Sequence, residues 1–136
     1  YKSISGRNGT VLVFTRSAKW CPYCQAQLKD LKGAQGELAK RGYTLASVSY
    51  DPPTVLSGFS KAQGIGYTML SDQGSKMIDA FGLRDPQYAP GSFAYGVAKA
   101  SVLVVDAKGM VRAKMVSSDY KLRPTTATIL AAVDGI

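Results

Sequence analysis

Residues Val11 to Leu28 read V-L-V-F-T-R-S-A-K-W-C-P-Y-C-Q-A-Q-L, an apolar run that passes directly into a proline-led stretch carrying both cysteines of the chain. The β-branched and aromatic residues from Val11 to Phe14 predict a buried strand, and the change to helical spacing at Pro22 predicts a helix start. With Cys21 as the N-cap, Pro22 takes the first helical position, where its fixed φ is already helical and its missing N–H is not needed. Cys21 and Cys24 then lie on one face of the first turn, with Cβ atoms roughly 4 Å apart, the separation that a disulfide requires.

That placement dictates chemistry. Unpaired N–H groups and the positive end of the helix dipole favour a thiolate at Cys21, and cysteines in such motifs have pKa values of about 3.5 to 7.5, against about 8.5 when free. Arg16 and Lys19 add positive charge nearby. Cys24, one turn further in, is the shielded member and suits a resolving thiol that attacks a sulfur held on Cys21. A closed zinc site needs four Cys or His ligands, whereas this chain has two cysteines and no histidine, so no metal is expected. A purely structural disulfide is weakly supported, because so short a loop removes little unfolded-state entropy. Two inert buried thiols form the bland alternative, and the strand-to-helix setting argues for redox work instead.

Composition limits the rest. The chain of 136 residues is expected to form one domain, 1–136, and to bury roughly two-thirds of the surface its unfolded form exposes. Its 46% apolar and 19% charged residues are ordinary for a soluble globular protein, and no apolar run approaches the ~20 residues of a membrane span. The net charge of +8 comes from seventeen Lys and Arg scattered between Lys2 and Arg123, without a run or an aromatic ladder, so nucleic acid is not the expected partner. The sequence starts at Tyr1 without a basic-then-apolar leader, and any targeting segment is expected outside it. Export from a bacterial cell is the favoured compartment.

Along the chain, Tyr1 to Gly9 reads as a leading loop. A helix from Pro22 to about Arg41, with a bend or close packing at Gly33 and Gly36, connects to a second, parallel strand, Tyr43 to Tyr50. Asp51-Pro52-Pro53 stops that strand. A helix over Thr54 to Gln63, with Val55, Phe59 and Ala62 inward, and a short strand, Tyr67 to Leu70, follow. Ser71 to Gly74 reads as a turn and cap for a helix, Ser75 to Phe81. Arg84 to Gly96 is an irregular loop, whose Tyr88, Phe93 and Tyr95 either line a substrate surface or anchor the loop. Ser101 to Asp106 and Met110 to Val116 form a hairpin, and a last helix from Pro124 to Val133 turns Ile129, Leu130 and Val133 inward. The sum is an α/β fold with a central mixed sheet flanked by helices, its first two strands central and parallel and its ligands met at the carboxyl ends of the strands, where Cys21 falls.

Trp20-Cys21-Pro22-Tyr23-Cys24 after an apolar strand resembles the thioredoxin superfamily. Arg16-Ser17 before it and Gln25 to Leu28 after it resemble the peroxiredoxin-like redoxin (AhpC/TSA) branch. The pattern Leu70-Ser71-Asp72, then Ala80-Phe81-Gly82-Leu83, is similar to the insertion that lengthens redoxins, and the likeness extends from about Thr10 to Val133. The resemblance implies a thioredoxin-like fold with a redoxin-type insertion, no cofactor, and a Cys21–Cys24 redox pair.

Three positions depart from the family pattern. Peroxiredoxins carry a proline and then a Thr or Ser ahead of the reactive cysteine, where this chain has Phe14 and Ala18. Where peroxiredoxins place an arginine and thioredoxins a cis-proline, alignment on Asp106 puts Ala100. Cleaving a peroxide needs donors aimed at the developing negative oxygen, typically worth several kcal/mol. Ser17, Lys99 or Arg16 are the candidate stand-ins. Without proline a cis bond would cost about 3 kcal/mol, so Ala100 is expected to be trans. Pro22-Tyr23 also resembles glutaredoxins, but those are shorter and lack the Tyr67–Leu83 insertion.

The expected activity is that of a thiol-disulfide oxidoreductase working through Cys21 and Cys24, with Trp20, Pro22, Tyr23, Arg16, Ser17, Lys99 and Ala100 in support. Its partner would be a protein bearing a disulfide or a dithiol. The alternatives are a thiol peroxidase that reduces a small hydroperoxide at Cys21 and, in another class, a redox-inactive binding module.

Overall fold

The computed structural model describes residues 6–19, 22–72, 75–84, 96–116 and 126–135. Strand β1 (Gly9–Phe14) is buried along its whole length, and its side chains alternate between two cores. Val11 and Val13 point into one core with Leu28, Leu38, Leu45, Val102 and Ile129, whereas Leu12 and Phe14 point into the other with Val48, Ile78, Leu83 and Leu103. A strand buried on both faces reads as a continuous apolar run, which is how Val11–Phe14 stood out.

The sheet has five strands in the order β3-β2-β1-β4-β5. β2 (Tyr43–Ser49) lies parallel to β1, with Val13 beside Ser47, and β3 (Thr68–Ser71) continues the parallel half. β4 (Ser101–Asp106) runs antiparallel on the other flank of β1 and forms a hairpin with β5 (Val111–Val116), with a register shift at Val104/Val105. Gly9 is the point of closest approach in this assembly. Its φ is +144°, and a Cβ there would stand 2.0 Å from the Val105 carbonyl oxygen, so no side chain fits.

Helices cover both faces. α1 (Pro22–Asp30), α2 (Lys32–Lys40), α3 (Pro53–Gln63) and α5 (Thr126–Asp134) contribute to the first core, and α4 (Lys76–Ala80) to the second. The expected single helix from Pro22 is thus two. The break falls at Leu31 rather than at a glycine, and a Cβ at Gly33 or Gly36 would meet nothing within 4 Å, so close packing does not explain either residue. In α3 the inward residue is Leu56, backed by Phe59, while Ala62 is exposed. The α3 termination matches expectation: Gly64 adopts the left-handed conformation at its C-cap. α4 is capped as its sequence suggests, the Asp72 carboxylate accepting from the Met77 and Ile78 N–H groups at 3.1 and 2.8 Å. No peptide bond among the described residues is cis, that of Ala100 included. Most of the 84–96 loop, with Tyr88, Phe93 and Tyr95, and the Pro124 start of the last helix lie outside the described residues.

Candidate active site

The carboxyl ends of β1 and β2 lie side by side, and the segment leaving β1 is held at each residue up to Lys19. The Thr15 N–H donates to the Val48 carbonyl at 2.9 Å, extending the parallel ladder past Phe14. The Arg16 N–H donates to Cys24 Sγ at 3.3 Å. Ser17 Oγ donates to Asp51 Oδ1, and the Ala18 N–H donates to Asp51 Oδ2, each at 2.7 Å. The Lys19 N–H in turn donates to Ser17 Oγ at 2.9 Å. From the helix side, the Gln25 amide donates to the carbonyls of Ala18 and Lys19 at 2.8 and 3.2 Å. Residues 15 to 18 are all buried, and Lys19 is exposed.

Asp51 is the hub. It follows β2, is 3% exposed, and also accepts from Ser49 Oγ at 2.9 Å, while Ser71 Oγ donates to its backbone carbonyl. A carboxylate removed from water is tolerated only where its lone pairs are filled, and three donors fill this one. Read from the sequence, Asp51 was a strand stop beside two prolines. What could have marked it is the run Ser47-Val48-Ser49-Tyr50-Asp51, in which period 2 puts Ser47, Ser49 and Asp51 on one side of a strand end.

The far end of α1 is anchored as well. Tyr67, 5% exposed, donates its hydroxyl to the Leu28 carbonyl through a short hydrogen bond, just before the helix breaks at Leu31. Carbonyls in the last turn of a helix lack partners within it, and Tyr67 supplies one from the chain entering β3. Burial pushes the Tyr67 hydroxyl well above the usual tyrosine range. Tyr67, like Asp51, was not among the site residues expected from sequence.

Cys24 lies on α1, is fully buried and is disulfide-bonded; the only other cysteine in the chain is Cys21. Cys21 and Trp20 themselves lie outside the described residues. Pro22 and Tyr23 are exposed on the first turn of α1, Tyr23 by 44%. Arg16, whose backbone N–H meets Cys24 Sγ, is buried at 6% exposure. The Ser17 proton is committed to Asp51 inside the protein, so this hydroxyl does not stand in for the missing Thr at Ala18 as a donor to substrate. Phe14 pairs with Ser101 across β1 and β4, which brings the buried Ala100 and the half-buried Lys99 alongside the end of β1. The Lys99 N–H donates to the Leu83 carbonyl at 2.7 Å and its carbonyl accepts from Ser101 Oγ, so its backbone is fixed. Among the described residues no group of three or more His, Cys, Asp or Glu is placed to hold a metal, and no helix is long and apolar enough to cross a membrane.

The chain is similar to known proteins in sequence and in fold. The family model described as the AhpC/TSA family matches residues 1–114. Peroxiredoxin Bcp of Escherichia coli K12 is 30% identical over 111 residues, covering 82% of this chain and 69% of that protein. A putative peroxiredoxin of Mycobacterium tuberculosis H37Rv is 29% identical over 119 residues, covering 88% and 73%. The thiol-disulfide oxidoreductase ResA of Halalkalibacterium halodurans is 26% identical over 66 residues, 48% of this chain and 38% of that protein. Among solved structures, the peroxidoxin BcpB of M. tuberculosis superposes with a TM-score of 0.83 at 20% identity over 99% of this chain and 84% of that one, a likeness of fold. With its five-stranded mixed sheet, its helices on both faces and this match across most of its length, the chain is an oxidoreductase of the AhpC/TSA family, with the thioredoxin-like fold of the peroxiredoxins.

Proposed function

We propose that the protein is a thiol peroxidase in which Cys21 reduces a hydroperoxide and Cys24 resolves the product. The Cys21 thiolate attacks the terminal peroxide oxygen, the O–O bond breaks, and an alkoxide or hydroxide leaves and takes up a proton, which leaves a sulfenic acid on Cys21. Cys24 attacks that sulfur, water departs, and a Cys21–Cys24 disulfide remains. An external dithiol then reduces the pair and is itself oxidised to a disulfide. The observation that carries this reading over plain disulfide exchange is the AhpC/TSA match across residues 1–114, supported by peroxiredoxin relatives that this chain matches over more than two-thirds of their length. The disulfide at Cys24 supports the resolving role.

A second reading is disulfide exchange with a protein partner, and specific residues favour it. Ala18 offers no hydroxyl, the Ser17 hydroxyl is turned inward to Asp51, and Ala100 holds no guanidinium, so the candidate donors for a breaking O–O bond reduce to Arg16, Lys99 and N–H groups near the start of α1. The ResA similarity points the same way.

Stopped-flow oxidation of the reduced protein by hydrogen peroxide separates the two. The peroxidase reading expects oxidation orders of magnitude faster than that of a free thiol, abolished in Cys21→Ser. In Cys24→Ser a single oxidation event ends in a sulfenic acid that a dimedone probe captures. Oxidation no faster than that of a free thiol, together with brisk reduction of insulin disulfides, would establish the exchange reading instead. Neither activity would leave a binding module.

A further inference from the structure

We propose that Asp51 is a positioning residue for the cysteine pair, acting through Ser17 and Ala18 to hold the Cys21 side of the pair in place. This rests on the reading of Cys21 and Cys24 as the redox couple. The carboxylate accepts from Ser17 Oγ and the Ala18 N–H at 2.7 Å each, and Ser17 passes the restraint on to the Lys19 N–H. Each of these groups belongs to the segment that immediately precedes Trp20 and Cys21 in the chain. The other sulfur is fixed independently, on α1 and against the Arg16 N–H.

Closing a disulfide costs the freedom that the two thiols lose. A segment already held before the bond forms has less to lose, so the bond is favoured at equilibrium, as with any raised effective concentration. Asp51 is suited to this because all three donors to its carboxylate are buried, which makes the restraint stiff rather than solvent-exchanged. In Asp51→Asn one terminal oxygen becomes an NH2 group, which sets a donor against a donor at Ala18 or removes the acceptor for Ser17.

The test is the equilibrium of the Cys21–Cys24 pair in glutathione buffers, read by alkylation and mass spectrometry of the full chain. Asp51→Asn is expected to lower the disulfide-forming equilibrium constant about tenfold, a rise in potential of about 30 mV for a two-electron couple. Ser17→Ala, which leaves the carboxylate and deletes one of its donors, is expected to lower it severalfold. Val133→Ala, a core truncation at the opposite end of the sheet, is expected to lower Tm without moving the potential. Wild-type potentials in both site variants, or an equal shift in Val133→Ala, would overturn the proposal, and if Asp51→Asn does not fold then Ser17→Ala decides alone. A potential shift in a protein that turns over neither peroxide nor disulfides would sink the proposed function and leave this role standing; turnover without a shift would do the reverse.

Discussion

The two ends of the sheet are both polar, but they use polarity in opposite ways. At the carboxyl ends of β1 and β2, the Ser17, Ser49 and Asp51 side chains are sealed inside and matched to one another. At the other end, Arg41 donates to Asp134 at 2.7 Å and to Glu37 at 3.3 Å, and Arg112 approaches Asp106 at 3.5 Å, around an open cavity also lined by Asn8, Tyr43 and Val133. Hydrogen bonds to Asp134 hold the Arg41 guanidinium protonated to higher pH than usual, and bonds to Arg41 hold Asp134 below the usual carboxylate range. Those pairs are open to water and salt, where each gains little because both partners are already well solvated. The buried cluster is closed off from water, so it fixes positions, and it is the end that carries Cys24.

The sharpest way to break this contrast is Asp51→Ala. It strands two hydroxyls and one N–H in the interior, and the expected loss of stability is about 3 kcal/mol or more, read as a fall in the urea midpoint at unchanged slope. A loss below 1 kcal/mol would mean that water reaches the cluster and that the two ends do not differ. Tyr67→Phe comes next: it leaves the Leu28 carbonyl short of a donor while keeping the ring packed, for an expected loss of about 1 kcal/mol.

The Tyr67 substitution also has a pH signature. Burial raises the folded-state pKa of Tyr67 above its ordinary value of 10.0. Above that pH the unfolded chain gives up the proton while the folded chain keeps it, so the contribution of Tyr67 is fully present below about pH 10 and declines as pH rises further. Tyr67→Phe is expected to flatten that part of the alkaline limb in chemical denaturation between pH 9 and 11 (values set around the tyrosine range). The smallest effect belongs to Arg41→Ala at the exposed end. A Tm change of at most a few degrees is expected, shrinking as salt rises. A large, salt-independent drop there would show that the solvent-facing pairs constrain the fold as the interior ones do.

Sequence reasoning reached the fold because its strongest signals are local. The doubly buried Val11–Phe14, the alternating Tyr43–Ser49 and the Ser101–Val116 hairpin each announce themselves within a few residues. The split of the first long helix at Leu31 was not legible, since its partner, the Tyr67 hydroxyl, comes from distant sequence and the glycines that invited a bend are not where it occurs. Asp51 was missed for the same reason: its meaning depends on Ser17 and Ala18, 34 and 33 positions earlier, and nothing local marks that pairing. From sequence Ser17 is a candidate donor to substrate, and in the structure its hydroxyl donates to Asp51.

The parallel pairing of β1 with β2 has a consequence for the order of events during biosynthesis. The cysteines are synthesised before Asp51, and β4, which closes the other flank of β1, follows only from Ser101 onward. A nascent chain therefore carries both cysteines before the end of the second strand can pin the segment ahead of them through Asp51.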